Sequence, residues 1–163
     1  MNGECGMVNV ETRIPHSPVA CYLGIDYGTK RIGLAIGDRN TAIASPLKTL
    51  ASTGRLADDA AAILDCVKEY HVDAFVVGLP FNMDDTEGEQ AKMVRRFGHE
   101  LARLSGLEVH YWDERLSSFT AQELLQPAGL TRKKRKARLD RIAAQVILQD
   151  FLDAWAEERK ERE

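Results

Sequence analysis

The chain has 163 residues, a formal net charge of −3, 44% hydrophobic residues and 29% charged residues. This length and composition are typical of one soluble globular domain, and the overall charge argues against a chain that is basic over its whole surface. No apolar stretch is long enough to span a membrane, and residues 1–19 lack the apolar core of a signal peptide. The three cysteines show no ligand spacing, which favours a reducing, cytoplasmic location.

Three strands and a helix are predicted in the first half of the chain. Apolar runs separated by glycine-marked turns predict strands at residues 20–26, 31–37 and 42–50. Pro46 places the third strand at a sheet edge or at a bulge, because proline cannot donate a ladder hydrogen bond. Apolar residues at helical spacing then predict a helix over residues 55–70.

Strands and helices alternate in the second half. The continuous apolar run at residues 74–79 is typical of a strand buried on both faces. The other predicted elements are a helix at 89–104 closed by Gly106, a strand at 107–112, a short helix at 119–125, and a last helix from about 138 to about 158. Residues 1–19 are interpreted as a flexible extension, residues 20–158 as one domain, and residues 159–163 as a frayed charged tail.

This element order predicts an α/β fold. An antiparallel meander followed by β-α-β crossovers makes a mixed five-stranded sheet with helices on both faces. In sheets of this kind, functional sites gather beyond the strand ends.

Three acids fall at the ends of predicted elements. Asp26 closes the first strand inside an apolar run, where an unpaired carboxylate is costly to desolvate. Asp113 and Glu114 follow the fifth strand, and Asp140 lies in the predicted first turn of the last helix. Carboxylates so placed can hold two divalent cations about 4 Å apart, and hard ions such as Mg²⁺ prefer oxygen ligands. Taken singly, Asp140 could instead favour the helix dipole, and Asp113 or Glu114 could be solvated loop acids.

A basic run precedes that helix. Six of the seven residues from 132 to 138 are cationic, namely Arg132, Lys133, Lys134, Arg135, Lys136 and Arg138. A lone charge cluster is often a solvated loop, but cations beside a metal site can clamp phosphates without reading sequence. Because Ala137 is the only apolar residue of the run, we expect it to be mobile until substrate orders it.

Four further side chains are candidates for phosphate contacts. Lys30 and Arg31 adjoin Asp26 and could contact the scissile phosphate or pair with the acids. Asn82 could hydrogen-bond a backbone phosphate or order its own turn. Arg115 could serve the nucleic acid or pair with Asp113.

Four segments of the chain together resemble the YqgF/RuvX family of candidate pre-16S rRNA nucleases and Holliday-junction resolvases. These segments are GIDYGTKRIG at 24–33, VGLPFNMD at 77–84, WDERLS at 112–117 and DRIAA at 140–144. The resemblance implies a ribonuclease H-like fold with Asp26, Glu114 and Asp140 as the metal-binding catalytic acids. It departs at Asp85, where the family loop usually has glycine, and at Ala143, where related resolvases often carry a further acid.

The resemblance implies a Mg²⁺- or Mn²⁺-dependent nuclease that processes the ends of precursor 16S rRNA. We expect the protein to be a monomer or a weak homodimer. Branched DNA is the alternative substrate, and a non-catalytic assembly factor that binds nucleic acid is the alternative function. An Asp-x-Gly-Thr hairpin also occurs in sugar kinases and actin-like ATPases. Those proteins close two domains on a nucleotide, whereas this length favours one domain.

Overall fold

The computed structural model describes residues 21–82, 84, 86–114 and 131–162 of the chain. Its strands are β1 (Cys21–Tyr27), β2 (Arg31–Asp38), β3 (Ile43–Ala51), β4 (Ala74–Leu79) and β5 (Glu108–Asp113). Its helices are α1 (Leu56–Val67), which continues into a 3₁₀ turn at Lys68–Tyr70, α2 (Glu89–Ser105) and α3 (Arg132–Arg162). The predicted alternation of strands and helices is therefore confirmed within these ranges.

The five strands form one mixed sheet in the order β3-β2-β1-β4-β5. β1, β2 and β3 make the predicted antiparallel meander, and β4 and β5 run parallel to β1. β3 is an edge strand, and its register with β2 shifts where Ala35 pairs with Pro46. Both expectations for Pro46, an edge and a bulge, are confirmed.

Side chains alternate between the two faces of the sheet, and this alternation decides where the acid of β1 lies. Leu23, Ile25 and Tyr27 pack into the core beneath α1 and α2, while Tyr22 packs into the core beneath α3. Because successive strand residues face opposite sides, Asp26 shares the α3 face with Tyr22. β4 is buried at all six positions, as its apolar run predicts.

Helix α3 begins earlier than predicted, and this corrects the interpretation of the basic run. Thr131 caps the helix: its hydroxyl accepts a hydrogen bond from the backbone N–H of Lys134 at 3.2 Å, and its carbonyl accepts one from the N–H of Arg135 at 2.9 Å. Arginine and lysine are good helix formers, so a capped run of them continues the helix. The interpretation of residues 132–138 as a loop is wrong, because they form the first turns of α3, while their ordering by substrate stays a prediction.

The same correction moves Asp140 from the first turn of the helix to the third. The helix dipole acts mainly within the first turn, so it does not explain an acid at this position. At its other end α3 continues to Arg162, past the predicted end near residue 158.

Several predictions fall on parts of the chain outside the described residues. They are the extension at 1–19, Asp85, Arg115 and the short helix at 119–125. Within the described ranges, no helix combines the length and the apolar character needed to cross a membrane.

Candidate active site

The site lies at the edge of the sheet where β1, β4 and β5 all end. In β2, Gly33 is the pairing partner of Asp26. On the other side, Ile25 pairs with Val77 of β4, which sets Gly78 beside Asp26. Leu79 pairs with Asp113 at the end of β5, so Glu114 leaves the sheet at this edge. Asp26 thus has a glycine on each neighbouring strand.

These two glycines make room for the other two predicted acids. A Cβ at Gly33 would overlap the carbonyl oxygen of Asp140, so its absence lets α3 approach β2. A Cβ at Gly78 would lie 2.7 Å from Oε1 of Glu114, so its absence lets this carboxylate lie across β4. Neither glycine was assigned a role from the sequence. The available signal was a glycine inside each of two apolar strands, which often marks a close approach.

Asp26 and Glu114 form a half-buried pair of carboxyl groups. Burial raises the pKa of Asp26, and the charges of Glu114 and Asp140 and a hydrogen bond shared with Glu114 raise it further. Burial also raises the pKa of Glu114, assisted by the charge of Asp113 and partly opposed by the hydrogen bond with Asp26. Two carboxylates that share a site in this way cannot both ionise cheaply unless a cation joins them.

Asp140 is engaged by a cation of the protein itself. Nε of Arg31 donates a hydrogen bond to Oδ2 of Asp140 at 2.6 Å, and the two side chains are 33% and 21% exposed. Of the two roles predicted for Arg31, pairing with an acid is the one seen here. In the part of the chain that the structure describes, no three Asp, Glu, His or Cys side chains are arranged to hold a metal ion. The predicted convergence of all three acids on a metal stays a prediction.

Asn82 orders its own loop. Its amide donates to the hydroxyl of Thr86 at 3.0 Å, and its backbone N–H donates to the carbonyl of Thr86 at 2.8 Å. The Thr86 hydroxyl in turn donates to Asp84 at 2.6 Å. This is the turn-ordering role predicted for Asn82. Asn82 and Lys30 are both exposed, and the phosphate contacts predicted for them remain predictions.

The basic run forms the exposed first turns of α3. All five residues from Arg132 to Lys136 are exposed. The helix is tied to the sheet just after them, where the hydroxyl of Thr49 donates to the carbonyl of Ala137 at 2.5 Å. At about 100° per residue, Lys133 and Lys136 lie within about 40° of Asp140 around the helix. Lys134 and Arg135 lie more than about 110° away from it. Two of the cations therefore share the face of the helix acid.

A fully buried aspartate, Asp59, fixes the end of β1 from the opposite face. It accepts hydrogen bonds from the Tyr27 hydroxyl at 2.7 Å, the Ser52 hydroxyl at 2.9 Å, and the backbone N–H and hydroxyl of Thr53 at 2.8 and 2.9 Å. Burial alone would raise the pKa of Asp59, but the hydrogen bonds from Thr53, Tyr27 and Ser52 outweigh it and lower the pKa. Asp59 was not among the residues singled out from the sequence, although it falls at helical spacing with Leu56 and Ile63.

Comparison with known proteins assigns the fold and then the family. The solved structure titled "T. thermophilus RuvC in complex with Holliday junction substrate" is similar over 83% of this chain and 96% of its own, with a TM-score of 0.50 and 16% sequence identity. At this identity the likeness establishes the fold alone, a ribonuclease H-like α/β architecture.

The family is shown by sequence. The RuvX family model, described as Holliday junction resolvase, matches residues 20–154. A Rhodobacter capsulatus protein named "Putative pre-16S rRNA nuclease" is 39% identical over 151 residues, covering 93% of each chain. An Anaeromyxobacter protein of the same name is 45% identical over 132 residues, 81% of this chain and 96% of that one. The chain belongs to the RuvX family, and the resemblance expected from its four sequence segments is confirmed.

Proposed function

We propose that this protein is a nuclease that hydrolyses phosphodiester bonds with a divalent metal ion held by Asp26, Glu114 and Asp140. The observation that carries the proposal is the contact between the Asp26 and Glu114 carboxyl groups, whose pKa values are both raised. An arrangement with only oxygen donors fits a hard cation such as Mg²⁺ or Mn²⁺. Bound there, the cation would lower the pKa of the attacking water and stabilise charge on the phosphate.

The chain's own residues set the geometry of this reaction. β1 and the end of β5 present Asp26 and Glu114 from a rigid sheet, and the Asp59 network holds the end of β1 from the other face. Helix α3 brings Asp140 to the same edge through the gap at Gly33. Sites built on such elements hold ligands more precisely than sites on loops.

The proposed substrate is RNA, and specifically precursor 16S rRNA. Support comes from the names of the curated relatives and from the exposed cations of α3, which suit a phosphate backbone. Lys30, Arg31, Asn82, Arg115 and the basic run 132–138 are the proposed nucleic-acid contacts, and the cytoplasm is the proposed location. Branched DNA is the second candidate substrate, favoured by the family description of Holliday junction resolvase.

The deciding experiment offers both substrates to the full chain. A precursor 16S rRNA fragment and a synthetic four-way DNA junction are incubated with the protein in Mg²⁺, in Mn²⁺ and in a chelator, and the product ends are mapped. We expect metal-dependent cuts in the RNA near the mature 16S ends. Cutting of the junction alone would favour the resolvase, and tight binding without cutting of either substrate would favour a non-catalytic assembly factor.

A further inference from the structure

Arg31 is the first residue of β2, and its ion pair joins that strand to α3. Its guanidinium holds Asp140 at 2.6 Å, across 109 residues of sequence, and both side chains are largely shielded from water. Two residues along β2, Gly33 brings the backbone of α3 onto the strand. The helix acid is therefore held against β2 by backbone packing and by a charge-assisted hydrogen bond, the stronger class of such bonds.

This ion pair opposes the proposed metal site. A guanidinium stays protonated at any pH the protein meets, so Arg31 occupies the Asp140 oxygen as a fixed positive charge. A divalent cation that bound Oδ2 of Asp140 would have to displace Arg31, and one that bound the other carboxylate oxygen would be repelled by the adjacent guanidinium charge. A displaced guanidinium in a shielded position needs a new anion, because an unpaired charge there is costly. A phosphodiester is such an anion, and its oxygens match the planar fork of donors on arginine.

We propose that Arg31 couples metal binding to substrate binding by exchanging partners. Without nucleic acid it holds Asp140 and weakens the affinity of the site for metal. When a backbone phosphate arrives, Arg31 transfers to it, and Asp140 is released to join Asp26 and Glu114. This inference rests on the proposed nuclease function and adds a regulation of that same site: the metal and the phosphodiester bind cooperatively, each raising the affinity for the other by the same factor.

The test measures Mn²⁺ affinity directly, by calorimetry on the full chain without nucleic acid. Arg31→Gln removes the charge but keeps an amide donor, and we expect it to bind Mn²⁺ about tenfold more tightly than the wild type, which corresponds to about 1.4 kcal/mol. Lys48→Gln is the matched control, because it removes an exposed cation from β3 of the same sheet. We expect that variant to stay within about twofold of the wild type, since exposed charges are screened.

The second arm adds a ten-nucleotide 2′-O-methyl RNA of mixed sequence as the phosphodiester probe. We expect it to tighten Mn²⁺ binding to the wild type and to have a smaller effect on Arg31→Gln, in which Asp140 is already free. Arg31→Lys keeps the charge with fewer donors and should fall between the two. It also carries the test if the glutamine variant does not fold, as judged by circular dichroism.

The outcomes separate this inference from the proposed function. If Mn²⁺ binding to the wild type is lost in Asp26→Asn but is unchanged or weaker in Arg31→Gln, the exchange is wrong and the metal site stands. If the wild type binds no Mn²⁺ in a manner that depends on Asp26, the metal site is wrong and the exchange falls with it.

Discussion

Asp26 and Asp59 lie on opposite faces of the sheet and meet the end of β1 within one residue of each other, yet their electrostatic environments are opposite. Four hydrogen-bond donations from Tyr27, Ser52 and Thr53 lower the pKa of Asp59 despite its burial. Asp26 faces other acids, and its pKa is raised by burial and by the charges of Glu114 and Asp140. Burial is therefore common to both carboxylates, and the groups around each one decide its role. The donors favour the ionised form of Asp59, whereas burial and the neighbouring acids favour the neutral form of Asp26 unless a cation is bound.

The largest expected effect comes from removing the carboxylate of Asp26, on the α3 face of the sheet. Asp26→Asn should reduce cleavage by on the order of 10³-fold or more, since a metal's charge stabilisation is worth several kcal/mol. Binding of RNA should survive, because the substitution also removes negative charge near the phosphate. Cleavage assays at saturating Mg²⁺ and binding titrations check both results, with the exposed Asp65→Asn as control. Wild-type cleavage by Asp26→Asn would show that Asp26 is not a metal ligand.

The matching change at Asp59, on the opposite face of the sheet, should alter stability instead of activity. Asp59→Asn keeps one acceptor oxygen in place of two, so some of the donors on Ser52, Thr53 and Tyr27 lose their acceptor. The free energy of unfolding should therefore fall by about 2–4 kcal/mol. Cleavage per folded molecule should stay near the wild-type value. Urea unfolding measures the loss, and the neighbouring exposed Asp58→Asn, within about 0.5 kcal/mol of wild type, is the control. A loss no larger than that of the control would refute the structural role of Asp59.

The two aspartates should also give opposite dependences of stability on pH in metal-free buffer. The pKa of Asp59 is lower in the folded chain, so its stabilisation is complete above its unfolded pKa of about 3.9 and is lost as pH falls below it. The pKa of Asp26 is higher in the folded chain, so its ionisation destabilises the fold as pH rises above about 4. Urea unfolding from pH 3 to 8 should show Asp59→Asn flattening the acidic limb and Asp26→Asn flattening the decline towards neutrality. The same pH profile in both variants would contradict the contrast.

The smallest expected effect tests whether the face of α3 that carries Asp140 also binds nucleic acid through its cations. Replacing Lys133 and Lys136 with alanine should flatten the dependence of log K on log salt for single-stranded RNA by about 1.4, because each phosphate neutralised by a cation contributes about 0.7 to this slope. The pair Lys134 and Arg135 removes the same charge from the other side of the helix and should change the slope much less. Equal slopes in the two double variants would show that the helix face does not matter and that the cations act only as a diffuse charge.

The order of strands and helices along the chain and the burial of β4 could be predicted, because apolar spacing and run length indicate element type and burial directly. The start of α3 could not, because six cations look the same in a loop and in a helix, and Thr131 decides between them by capping. The positions of Asp26 and Glu114 at strand ends followed from the run lengths. Pairing of Arg31 with an acid was one of its two predicted roles, but the choice of Asp140 could not be predicted. It depends on how α3 crosses β2 at Gly33, and a contact across 109 residues leaves no local pattern.

The placement of Asp140 on α3 has a consequence for synthesis of the chain. Asp26 and Asp140 are 114 residues apart in the sequence, and ribosomes add about 5–20 residues per second. The sheet acid therefore emerges roughly 6 to 23 seconds before the helix acid. During that interval a nascent chain holds Asp26 without its helical partner, and docking of α3 onto β1, β2 and β3 is the step that completes the proposed centre. If the proposed centre is correct, cleavage would begin only after α3 has been made, and the chain would not cut nucleic acid during the translation of residues 26–140.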